Sequence, residues 1–152
     1  AAAVRSAIVN TADRNVVKGL DNATIITDAN KVGTGRENLL AAVQARVALD
    51  PVSLSFGAVP AGSGMLLQAS VQLSNLSGSA QTFTLQVAEA SGSGVTFSVP
   101  GGGVTLASGA SASVTVSMAA SKRASAGPKQ AVLKVSAGGS VVAQAMLYTL
   151  IK

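Results

Sequence analysis

The chain reads as a mainly β protein, a sandwich of seven or eight antiparallel strands preceded by a short two-helix segment. Three observations lead there. From Pro51 onward, apolar residues recur at every second position through a series of short runs. Gly- and Pro-containing turn signals separate those runs. Before Pro51 the apolar spacing is helical instead, interrupted by loop-like sequence. The seam runs from Gly33 to Phe56, GTGRENLLAAVQARVALDPVSLSF. A Gly-x-Gly turn opens it, a short apolar helix pattern fills it, and Asp50-Pro51 closes it.

The first element is a helix over Ala1 to Ala12. Val4, Ala7, Ile8, Thr11 and Ala12 share one face of it, and Arg5, Ser6 and Asn10 fall largely elsewhere. It begins on three alanines with no N-cap, as a helix cut from a longer one does, and its apolar face needs a partner. Residue 1 is therefore not expected to be the natural start. Asp13 to Val32 is loop-like, with Gly19, Asp21-Asn22 and Asp28-Ala29-Asn30 as turn material and Ala23 to Thr27 as a short strand candidate. The oxygen ligands of Asp21, Asn22, Asp28 and Asn30 suit calcium, but their spacing fits no known calcium loop, and turn chemistry explains them better. Gly33 and Gly35 make a tight turn. A dinucleotide site would need a third glycine where Asn38 stands, so that reading is rejected. Leu39, Leu40, Val43 and Val47 then give the second helix.

Beyond the seam, alternation marks strands at Val52–Phe56, Gln68–Asn75, Thr82–Val87, Val95–Val99, Ala112–Met118, Ala131–Val135 and Val141–Ile151. Gly138-Gly139 is the clearest hairpin turn. Strands this short, with turns this frequent, make an immunoglobulin-like or fibronectin-type sandwich. Its core candidates are Leu54, Phe56, Val71, Leu73, Phe83, Leu85, Val87, Phe97, Val114, Val116, Leu133, Val135 and Leu147.

Composition closes off several chemistries. Hydrophobic residues are 48% of the 152 but aromatics only 3%, which suits a core of small branched side chains better than a sugar-stacking platform. There is no cysteine, which excludes disulfides and thiolate chemistry, and no histidine, so a Ser–His–Asp triad cannot be completed inside the chain. The net charge of +5 rests on few, scattered bases without interleaved aromatics, which argues against nucleic acid. No apolar run is long enough to span a bilayer. The loop SKRASAGPK offers a Ser–Lys pairing of Ser121 or Ser125 with Lys122, but an exposed loop, open to proteolytic nicking at Lys122-Arg123, is the better reading. The sequons at Asn22 and Asn75 are expected by chance in so Ser- and Thr-rich a chain.

Two motifs carry a family resemblance. VRSAIVNTA, Val4 to Ala12, resembles the helix that follows the nucleophilic serine in subtilisin-like serine peptidases, a Lys- or Arg-containing helix ending in L-x-x-T-A. Ile8 stands at the leucine position, and Thr11 and Ala12 match. VGTGRENLLAAVQA, Val32 to Ala45, resembles that family's closing pattern, G-x-G-x-v-N-x-x-x-A. Gly33, Gly35, Asn38 and Ala42 match, and Glu37 departs from the usual apolar residue. The stretch LSFGAVPAGSGMLLQASVQLSNLSGSAQTFTL resembles a widespread extracellular Ig-like repeat.

The resemblance implies a division at the seam: residues 1–50 as the helical C-terminal remnant of a catalytic domain, and residues 51–152 as an Ig-like β-sandwich. It implies a secreted or extracellular protein. The family's catalytic Asp and His, its oxyanion Asn and its G-T-S-M-A serine would precede residue 1. No catalytic, cofactor-binding or metal-ligating residue is assigned here, no cofactor is expected, and the chain alone should be inactive. The expected partner is the upstream catalytic domain of the same polypeptide, with self-association through the N-terminal helices as the other outlet for their apolar faces. The competing reading is an independent extracellular Ig-like binding or adhesion module.

Overall fold

Alternating side chains become strands when one face has a core to enter. The computed structural model describes residues 1–152. Three short helices come first, α1 (Ala2–Asn10), α2 (Ala29–Val32) and α3 (Leu39–Val43). Nine strands follow: β1 (Val47–Asp50), β2 (Ser53–Val59), β3 (Leu66–Asn75), β4 (Gln81–Ser91), β5 (Val95–Ser98), β6 (Gly103–Leu106), β7 (Ser111–Ala120), β8 (Gly127–Ala137) and β9 (Ser140–Ile151). They form a four-stranded sheet, β1-β3-β7-β5, facing a five-stranded sheet, β2-β9-β8-β4-β6. This is the expected Ig-like sandwich.

Two details differ from the sequence expectation of seven or eight antiparallel strands. There are nine strands, and β2 runs parallel to β9. The chain leaves β1 at Asp50 in one sheet and enters β2 at Ser53 in the other. It thus reaches the edge beside the last strand, where pairing is not set by a hairpin. Val47–Asp50, read as the tail of a helix and its stop, is instead an edge strand whose Val47 and Leu49 are fully buried.

The core lies between the sheets. Ten of the thirteen expected core residues are buried; Phe56, Val87 and Val114 are partly buried against the same cluster. Val71 and Leu73 from β3 and Leu133 and Val135 from β8 have no solvent exposure. At roughly 25 cal/mol per Å² of apolar surface buried, such side chains dominate the stability of the sandwich. Gly138 and Gly139 form a two-residue loop with φ of 57° and 83°, as the β8–β9 hairpin requires. The Asn75 sequon is structural: its buried amide donates to the carbonyls of Ser79, Leu106 and Ala107, and its oxygen accepts from Ser77.

Candidate functional site: the outward face of the helical segment

Residues 1–46 lie along β1 and the five-stranded sheet, held mainly by polar contacts. Helix α1 turns inward the side chains that its apolar pattern placed elsewhere. Ser6 and Asn10, one helical turn apart, are 1% and 0% exposed. Ser6 Oγ accepts from the Leu49 amide at 2.7 Å and donates to Asn10 Oδ1 at 2.6 Å. Asn10 Nδ2 donates to the carbonyls of Gln144 at 2.7 Å and Val52 at 3.0 Å. These backbone groups sit at the margins of β1, β2 and β9, so α1 completes hydrogen bonding that the sandwich leaves open.

More polar ties follow along the segment. Gln144 donates to the Ala12 carbonyl, and Gln130 donates to the Thr27 carbonyl while accepting from the Ala29 amide. Arg14, only 10% exposed in its side chain, pairs with Glu89 at 3.1 Å, and Lys134 meets the other Glu89 oxygen at 2.7 Å. The hydrogen bond from Lys134, then that from Arg14, holds the Glu89 carboxyl below its usual value against the opposing cost of burial.

The motif residues are accounted for locally. Asn38 caps α3 by accepting from the Ala41 amide, and its Nδ2 donates to Asp13. That bond, then the one from Arg36, keeps the Asp13 carboxyl below its usual value. Gly35, at φ 125°, lies so close to Asp13 that a Cβ would come within 2.2 Å of the Asp13 carbonyl oxygen. The Gly-x-Gly turn therefore serves this backbone approach. The oxygens suggested for calcium are engaged in turns: Asp21 accepts from Ala23 and Thr24, and Asp28 from Asn30. The expected strand over Ala23–Thr27 reduces to an isolated bridge between Ile25 and Lys18.

The apolar side chains left over face outward. Val4 is 63% exposed, Leu39 62%, Leu40 69% and Val43 86%, on two helices that lie against each other. They do not cover the sandwich. The segment thus shows solvent an apolar patch on α1 and α3 while α1 buries Ser6 and Asn10, against the usual order of a surface helix.

The Ser–Lys pairing considered in the sequence falls on a different lysine. Ser125 Oγ accepts from Lys129 Nζ at 2.7 Å, and the stem of Lys122 lies beside Gly64. No spacing signal marks Lys129, because its position on the inner face of β8 is set by strand register. A groove of about 360 Å³ lies where α2 approaches β2 and β9. Tyr148 is the one aromatic residue in its lining, which gives little surface for stacking a sugar.

No family model and no curated protein matches the chain. Solved structures do. The ASH/PapD-like domain 7 of human CEP192 is 12% identical, with a TM-score of 0.53 over 71% of this chain and 86% of that one. The class 5 fimbriae chaperone CfaA is 14% identical, with a TM-score of 0.50 over 70% of this chain and 56% of that one. The chain thus spans little more than half of the chaperone. The secreted serine protease VesC from Vibrio cholerae is 19% identical, with a TM-score of 0.47 over 64% of this chain and 21% of that one. At these identities the likeness to the first two shows the Ig-like sandwich fold and nothing of activity. No helix is long and apolar enough to cross a membrane.

Proposed function

We propose that the chain is the non-catalytic C-terminal region of a secreted subtilisin-like serine endopeptidase. Its sandwich acts as a spacer, stabiliser or docking module, and its helical segment belongs to the surface of the preceding catalytic domain. The observation that carries this reading is the inverted segment: α1 gives its polar side to the sandwich, and Val4, Leu39, Leu40 and Val43 remain for another partner. Exposed apolar clusters of this kind mark interfaces. The matches to the peptidase closing pattern lie on the same segment, at Gly33, Gly35, Asn38 and Ala42.

The test is the coding sequence immediately upstream of Ala1, followed by hydrogen exchange on the longer polypeptide. A G-T-S-M-A stretch shortly upstream, with Leu39–Val43 protected in the longer protein and unprotected in the 152-residue chain, is the expected result. A signal peptide or another sandwich repeat directly upstream would overturn the peptidase reading and leave an independent extracellular binding module.

A further inference from the structure

Lys129 is a buried lysine without a carboxylate. It occupies an inward position of β8, on the face that also carries Ala131, Leu133 and Val135, and is 3% exposed. Lysines are rarely this buried unless paired, because removing an ammonium from water is costly. Its one hydrogen-bond acceptor is Ser125 Oγ at 2.7 Å, so two of its three N–H donors have no partner in the chain. None of the ion pairs includes it. Glu89, the last acid in the sequence, is engaged by Arg14 and Lys134.

The surroundings are built to hold this ammonium in place. Gly92, at φ 90°, lies against the lysine stem, where a Cβ would come within 2.4 Å of Cδ. Gly94, at φ 77°, leaves no room for a Cβ against Ala124 Cα, and its carbonyl accepts from the Ser121 amide at 2.8 Å. Two loops, 92–94 and 121–126, are thereby locked together over Lys129. Between the glycines stands Ser93, whose hydroxyl is 3.1 Å from that of Ser125. Both serines are exposed. The hydroxyls therefore face solvent directly in front of a desolvated positive charge. Lys122 and Arg123, on the same loop, add positive charge.

We propose that Ser93, Ser125 and Lys129 form a binding site for a tetrahedral oxyanion, a phosphate or sulfate group. The anion accepts from the two hydroxyls, which give up their mutual hydrogen bond to donate to it, and takes its charge compensation from Lys129 behind them. Hydrogen bonds to an anion that are backed by a low-dielectric cation are stronger than neutral ones. The site is independent of the helical segment and of any upstream domain.

The experiment is a titration of the isotopically labelled chain with inorganic phosphate, and separately with inorganic sulfate, at low ionic strength, followed by amide NMR. Saturable shifts centred on Ser93 and Ser125 are expected. Lys129→Met, which keeps the buried stem, should weaken binding at least about tenfold, because the positive charge behind the hydroxyls is removed. Ser93→Ala, an exposed change that leaves the fold intact, should weaken it several-fold even if Lys129→Met does not fold. Shifts that do not saturate, that spread over all the basic residues, or that persist unchanged in Ser93→Ala would overturn the proposal. The phosphate and sulfate arms decide which anion is preferred.

Discussion

In the sandwich, β3 and β8 fill the common core with Val71, Leu73, Leu133 and Val135, all without solvent exposure. In the helical segment, α1 buries Ser6 and Asn10 and leaves Val4 outside. The first region is held by removal of apolar surface from water, the second by a few directional bonds to backbone groups of β1, β2 and β9. Composition is part of the difference, since ten of the seventeen charged residues lie in residues 1–46. Partner availability is the rest. The sheets face each other, and the segment meets only the edges and outer surface of a sandwich whose apolar faces are already used.

The contrast can be broken most severely in the core. Leu133→Ala should cost roughly 2–5 kcal/mol, as large-to-small changes at fully buried sites do; chemical denaturation measures it. A loss below about 1 kcal/mol would mean that the inner faces are not the main source of stability.

Asn10→Ala should cost about 1–3 kcal/mol, because the Gln144 and Val52 carbonyls and Ser6 lose their shared partner. Its signature is regional. Amide exchange should rise through residues 1–46 while β3 and β8 keep their protection. Equal loosening of both regions would show that they form one cooperative unit.

A smaller effect is expected at Glu89, where the contrast becomes pH-dependent. Its folded carboxyl titrates below the usual value because Lys134 and Arg14 donate to it. The stabilisation is therefore present above the ordinary carboxylate range and is lost as pH falls through the lower folded value. Glu89→Gln should be less stable than the parent at neutral pH and converge with it in acid. A constant gap at every pH would remove Glu89 as the titrating tie between Arg14 and β8.

The smallest change in stability belongs to the outward face. Leu40→Ser should move the stability of the monomer by no more than about 0.5 kcal/mol, while sedimentation shows less self-association at high concentration. A large destabilisation would mean that Leu40 packs against its own chain.

Much of the sandwich was legible because a period of two has one physical cause, a strand with one buried face. The runs through β3, β4, β7, β8 and β9 announce themselves in that way. Strand β1 did not, since Val43 and Val47 continue the helical spacing of α3 and only the neighbouring β3 converts Val47–Asp50 to an edge. Strand β6 follows a glycine run and has too few apolar residues to alternate visibly. The inward face of α1 was misread for a related reason. Helical periodicity shows which residues share a face, and the surface waiting for them decides which face is buried. The i, i+4 spacing of Ser6 and Asn10 was the available signal.

By itself the sequence determined the class of fold, the turn at Gly138-Gly139 and most of the core, because alternation, turn chemistry and side-chain size act over a few neighbouring residues. Only the tertiary structure decided the parallel pairing of β2 with β9, the polar docking of α1 and the meeting of Ser93, Ser125 and Lys129. Each of these brings together residues distant in the chain, and their proximity follows from sheet order and register, which no local pattern contains.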